Sequence, residues 1–320
     1  MIQIAFGLLN TVSYGCSGEP YFTTEPMLLA RGLADEAPDP CNNTVQGKKT
    51  NGTEEPKKPP RTLFEWSIGP EGAIEHEEKD EIVTDRPDFT ESSSTVGRGR
   101  VQLESGYTYF HDHSAGTRIH LHSLPEGLLR FGVGADWFEG RIGWNYFNQR
   151  TKAEGFTDSP WGADDLYLGV KLGLTEQKEY LPETGLIVQM FVPTGAEEFT
   201  GNRILPGFNY LFGWDVSEFL SLGGSFQMNR TVDDVDHPYV QVAQSLTVGY
   251  RLTEKWGAYT EWFAFYPDGA IAPGVGPEHY FDGGFTYKVT KDVQLDWRAG
   301  VGLNRHAVDY FAGTGLSMRY

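Results

Sequence analysis

The chain has no uninterrupted apolar run near the ~20 residues of a spanning helix, and its mean hydropathy is low, at −0.41. A helical membrane protein is thereby excluded. A membrane β-barrel is not, because each of its strands is apolar on one side only. Cysteine is scarce: Cys16 and Cys41 are the only two in 320 residues, too few for a disulfide scaffold and without metal-ligand spacing. Basic residues are also short, 26 against 44 acidic for a formal net charge of −18, which argues against nucleic acid as a partner. Signatures of nucleophilic or phosphate chemistry are missing: there is no G-x-S-x-G, P-loop or C-x-x-C,. His76, beside Glu77 and Glu78, lacks the H-E-x-x-H spacing of a zinc protease. No catalytic residue and no cofactor is assigned.

The N-terminal quarter has no strand pattern. Residues 1–20 are a candidate export segment, with Ile2 to Leu9 as a short apolar region, but no Lys or Arg precedes it,. Cys16 and Cys41 are candidates for a disulfide after export, and otherwise spare thiols. Cys16 is a poor lipidation site, with Ser13 and Tyr14 before it. Residues 21–79 read as a disordered or irregular linker, most plainly at 36–62, where Pro, Asn and charge accumulate without periodicity,. Residues 80–98 lead into the next region as either a lead-in or a luminal plug.

What the chain does have is Gly, Tyr, Phe and Trp, at 39, 16, 20 and 8 residues, arranged with a period of two. Runs near 99–110, 117–134, 137–149, 162–174, 184–194, 206–214, 218–228, 239–252, 255–266, 279–289, 292–303 and 308–320 alternate apolar with polar or small residues,. Most have the length of a tilted bilayer-crossing strand. In the eleventh, Val293, Leu295, Trp297, Ala299, Val301 and Leu303 oppose Gln294, Asp296, Arg298, Gly300, Gly302 and Asn304. The ninth is ambiguous, aromatic on both faces. A soluble sandwich also alternates, but here the polar faces combine Gly with charge, poor material for a soluble core. Short turns at 215–217, 253–255 and 290–292 interleave with long loops at 150–161, 195–205, 229–238 and 267–278, the asymmetry of a membrane barrel. The fold class predicted is all-β: a transmembrane up-and-down antiparallel β-barrel of about 12 strands over 99–320, behind a largely disordered N-terminal region.

Two resemblances bear on this. Tyr310 to Tyr320, alternating strictly and ending on an aromatic residue, resembles the C-terminal signal of Gram-negative outer-membrane barrels, which implies the barrel-assembly machinery as a partner. The segment EIVTDRPDFTESSSTVGRGRVQLESGYTY from Glu81 to Tyr109, followed by LPEGLLRFGV at 124–133, resembles the family named for a meta-pathway of phenol degradation. TDRPDFTES is its most specific part, and the resemblance spans roughly 80 to 320. It implies an outer-membrane location and uptake of small hydrophobic or aromatic molecules, with the lipid bilayer and such solutes as partners. It brings no catalytic residues.

Parity places Arg100, Gln102, Glu104, His120, His122, Glu126, Arg130, Glu139, Arg141, Asp165, Lys171, Arg251, Asp282, Lys288, Asp296 and Arg298 on the inner face. Their mixed signs fit either a salt-bridged, filled lumen or a polar channel with opposed walls. Glu104, Arg130 and Arg141 come from the first three strands and are candidates for cross-strand pairs. Asp85, Arg86 and Asp88 precede the first strand, with Pro87 holding the chain extended,. They are the candidate plug or gate, the alternative being a periplasmic cap. His111, His113, His120 and His122 flank one hairpin loop, with Asp112 between the first two. They are either metal ligands near the outer rim or surface histidines. The tryptophans 137, 144, 161, 214, 256, 262 and 297 read as interface and lipid-face residues. The function expected is passive passage of small molecules. The competing readings are a non-transporting barrel acting through its outer loops, and a rim hydrolase, which needs a nucleophile beside His120 or His306.

Overall fold

The computed structural model describes residues 61–64, 81–114 and 116–320. The expectations placed on residues 1–20, Cys16, Cys41, the linker at 36–60 and His76 lie outside them. Fourteen strands follow in order: β1 (Val101–Ser114), β2 (Thr117–Gly132), β3 (Phe138–Ala153), β4 (Phe156–Asp158), β5 (Trp161–Ala163), β6 (Leu166–Thr175), β7 (Glu183–Val192), β8 (Leu205–Asp215), β9 (Leu220–Val232), β10 (Pro238–Arg251), β11 (Trp256–Asp268), β12 (Glu278–Thr290), β13 (Val293–Gly302) and β14 (Tyr310–Arg319). Each long strand pairs antiparallel with its neighbours in sequence, and β14 returns to pair with β1 from Gln102↔Arg319 to His111↔Tyr310. The sheet is thus a closed barrel of twelve long strands. The short β4 and β5 only extend its wall along the far end of β3. Closure pairs each of the twelve long strands on both sides, the condition for strands in lipid.

Burial runs opposite to that of a soluble protein. Along β13, Asp296 and Arg298 are 0% and 4% exposed, whereas Trp297 and Val301 are 41% and 48% exposed. The same inversion holds on β3, where Glu139, Arg141 and Asn145 are buried and Ile142 and Trp144 are exposed. Polar side chains therefore point into the barrel, and the exposed apolar belt outside needs a lipid solvent. The ninth run, ambiguous in sequence, becomes β11. Its Tyr259, Glu261, Phe263 and Phe265 are buried inside while Trp262 lies outside.

The register shifts near the ends of β6 and β12 and, in mid-strand, in β2. Between the pairs Gly106↔Glu126 and Thr108↔Ser123, the single residue Tyr107 of β1 faces both Leu124 and Pro125. Tyr146 of β3 faces the same two residues. One extra residue turns over the facing of everything beyond it, and Pro125 has no N–H to give the ladder. Hence Glu126, Leu128 and Arg130 point inward, but so do Ile119, Leu121 and Ser123. His120 and His122 point outward, which corrects the inner-face assignment made from unbroken alternation.

The connections at the end holding both the start of β1 and the end of β14 are 133–137, 176–182, 216–219, 252–255 and 291–292. The opposite end carries the short β1–β2 turn, 193–204, 233–237, 269–277 and 303–309, besides the β3–β6 connection with its two short strands. Two loops are shorter than expected because their strands run on: β3 reaches Ala153, and β9 reaches Val232, leaving only 233–237. The fourth run is split at Asp164–Asp165. The Asp165 carboxylate accepts N–H bonds from Thr194 and Gly195 (3.1 and 3.0 Å) and from Gly201 (3.0 Å). It ties down a loop rather than lining an open lumen.

Candidate functional site: a charged segment lodged in the barrel

Residues 81–98 form no strand. Their contacts are with inward-facing side chains from around the wall, which places the segment inside the barrel. Asp85 sits on β2, β3 and β6: its carboxylate is 2.6 Å from Arg141, 3.0 Å from Lys171 and 3.4 Å from Arg130. Its backbone N–H donates to Glu104 of β1 at 3.1 Å. Arg86 reaches the other way, with Nη1 2.6 Å from Glu126 of β2 and Nη2 3.4 Å from Asp296 of β13. Further along, the N–H groups of Phe89 and Thr90 donate to Glu261 of β11 at 2.6 and 2.8 Å. That of Val96 donates to Glu139 at 2.9 Å.

The segment supplies partners for wall charges on both sides. Arg130, Arg141 and Lys171 face Glu104 and Glu139, with Arg130 3.0 Å from Glu104 and 2.9 Å from Glu139. Lys171 has no wall carboxylate in ion-pair range among the described residues, and Asp85 supplies one. Glu91 also reaches Arg141. On the other side Arg86 reaches Glu126 and Asp296, beside Arg298.

Glycine in the wall makes room for this. Gly106 and Gly315 face each other across β1 and β14, and a Cβ on either would run into the Arg86 guanidinium. Gly185 likewise lies against the Ser93 carbonyl. The mixture of Gly and charge on the inner face is thus the imprint of a second chain segment passing close to the wall.

Asp85 lies in low-dielectric surroundings that by themselves raise a carboxyl pKa, but Arg130, Lys171 and Arg141 outweigh burial and hold it below the usual range,. Asp88 has no such cluster of cations. Burial, with Asp282 beside it, pushes it up to about 8.

Above the charged base the lumen is apolar. Phe89 stacks on Phe263 at 4.7 Å and meets Phe265 edge-on at 5.3 Å. Phe110, Leu121, Phe147, Tyr280 and Phe311 complete the cluster with Phe199, Ala307 and Val308 from the outer loops. Between base and cluster a cavity of about 60 Å³ remains, lined by Asp85, Arg86, Glu91, Arg141, Tyr167 and Gln189 among others. It has room for a few waters, and is smaller than the roughly 150 Å³ of a cavity known to take benzene.

The structure brings together Asp85, Glu104, Arg130, Glu139, Arg141 and Lys171 on one side, and Arg86, Glu126, Asp296 and Arg298 on the other. Arg298 also donates to the Pro87 carbonyl at 3.2 Å. Asp88 stays half-buried beside them. Lys288 pairs with Glu81 at the mouth, while Arg251 is exposed there and Arg100 precedes β1. Strand parity alone does not single out Glu91, Glu183 and Glu261. Glu261 has a signal, a lone carboxylate among the aromatics of the ambiguous run. The four histidines do not converge inward. His120 and His122 bond through Nδ1 to the hydroxyls of Tyr109 and Tyr107 at 2.6 and 2.8 Å on the outer surface. Among the described residues no group of three or more His, Cys, Asp or Glu is placed to hold a metal ion. His306 lies between the Gly274 carbonyl and Arg305.

The structure resembles the COG4313 outer membrane channel from Pseudomonas putida F1, with a TM-score of 0.55 at 14% identity, covering 72% of this chain and 98% of that one. The translocator domain of the autotransporter NalP from Neisseria meningitidis gives 0.48 at 9% identity, over 69% of this chain and 88% of that one. The first likeness is one of fold. No curated protein matches the sequence. A family profile does match, over residues 84–320, beginning at the luminal segment and ending with the last strand. The chain belongs to the family described as "Putative MetA-pathway of phenol degradation".

Proposed function

We propose that the protein is an outer-membrane channel for passive passage of small molecules, held closed by the segment 81–98. The observation that carries this reading is the ion pairing: wall charges find partners in Asp85 and Arg86 of the segment. A barrel filled for good would be expected to pair its charges wall to wall. A segment with no main-chain ladder to the wall is held by side-chain bonds that water can replace, so it is suited to leave. The aromatic cluster above it supports a hydrophobic or aromatic solute, the class that the family's description points to. The protein acts without catalysis in this reading.

A second reading is favoured by the small residual cavity: a sealed barrel that works through its outer loops. Asp233 ties 233–237 to 269–277 by accepting N–H bonds from His237, Ile271 and Ala272 at 2.9 to 3.0 Å, so those loops form one ordered surface. Planar-bilayer conductance of the full chain, beside a variant lacking 82–92, separates the two. Channel steps that grow on deletion support the gated channel. No steps from either, with a folded heat-shifting band on a gel, would refute it in favour of the sealed barrel.

A further inference from the structure

On the outer surface of β1, β2 and β3 the side chains change character in order. Going up β3, Ile142, Trp144 and Tyr146 are followed by Asn148, Arg150 and Lys152 on the same face. The register sets Arg118 beside Lys152, His120 beside Arg150 and His122 beside Asn148. Across β1, His113 lies opposite Arg118, and His111 opposite His120. The bulge at Leu124–Pro125 is what turns this half of β2 outward, so the patch exists because of it. Trp144 and Tyr146 of β3 and Tyr107 of β1 form an aromatic band below it, where a membrane interface is expected, and Tyr109, Trp161 and Tyr310 stand in register with the patch. Arg150 stands four residues beyond Tyr146. At ~3.4 Å per residue and a tilt of about 40°, that is roughly 10 Å above the band, the level of lipid headgroups.

Arg118, Arg150 and Lys152 are exposed and make no ion pair among the described residues. Asp158 pairs with Thr151, on the opposite parity, and Glu154 lies in the turn past β3. Asp309 is engaged by the His113 N–H. In a chain of net charge −18, three such cations and neighbouring imidazoles on one outward face are unusual. A tyrosine hydroxyl that donates to Nδ1 of His120 or His122 leaves the ring proton on Nε2, a further donor for an anion.

We propose that this face binds the phosphate-bearing headgroup of an outer-leaflet glycolipid, with Arg118, Arg150 and Lys152 as its cationic ligands. The inference rests on the end with the longer connections facing outward, and not on solute passage. The test is native mass spectrometry of the refolded full chain in detergent micelles, titrated with bis-phosphorylated or dephosphorylated lipid A. A basic residue near a charged membrane surface contributes about fivefold. Loss of all three in R118Q/R150Q/K152Q should therefore weaken binding of the phosphorylated lipid on the order of a hundredfold. Wild-type protein should discriminate between the two lipids, a comparison that needs no variant to fold. Equal binding of both lipids would overturn the proposal, as would equal binding by wild type and folded variant. Displacement by micromolar inorganic phosphate would assign the patch to a free anion instead. A chain giving no heat-shifted band in micelles would overturn the membrane-barrel reading itself.

Discussion

Replacing Asp85 by Asn tests the closed state at its most charged point. The amide keeps the shape and can still accept the Ser92 N–H that Oδ1 accepts at 3.0 Å. It removes the negative charge from Arg141, Lys171 and Arg130; the arginines keep Glu104, Glu139 and Glu91, but Lys171 is left with the Ser92 and Ser94 carbonyls alone. Removing one partner of a buried ion pair costs about 3–5 kcal/mol, and the adjoining cavity lets water reach this one, so the low end applies. About 3 kcal/mol is more than a hundredfold in the equilibrium between docked and released segment. Single-channel recording of the full chain in planar bilayers should show the open fraction rising accordingly in Asp85→Asn. In Asp85→Asn with Lys171→Met the surplus cation is gone as well, and much of the closure should return, a coupling that independent sites would not show. An open fraction within about twofold of wild type in the folded single variant would refute the reasoning. So would a double variant as open as the two singles combined.

The pH response should come from Asp88. Its docked pKa, about 8, exceeds the ~4 of a free carboxyl, so docking takes up a proton. Docking is favoured most below about 4 and weakens as pH rises toward 8, so channel opening should increase between about pH 4 and 8 and level off above. In Asp88→Asn that increase should vanish; an unchanged pH profile would assign it elsewhere. On the outer face, Leu246 lies midway along β10 and is exposed. Leu246→Arg should destabilise the barrel in phospholipid bilayers by about 2–4 kcal/mol, as read from urea unfolding, and no loss would mean that this surface does not meet lipid.

Patterning along the chain was enough to define the barrel, its strand number and many of its inward charges, because a period of two is a local property and each strand repeats it. Glu104, Arg130, Glu139, Arg141, Lys171, Asp296 and Arg298 could be placed inside by parity alone. Other features exist only in the closed, three-dimensional barrel. Which wall charge meets Asp85 and which meets Arg86 depends on how the barrel closes, since Asp296 and Arg86 are 210 residues apart in sequence. The outward turn of His120 and His122 depends on one extra residue in β2, which is visible only against the registers of β1 and β3. The aromatics on both faces of β11 were ambiguous because one face serves lipid and the other Phe89, and a strand's own pattern does not distinguish two apolar partners.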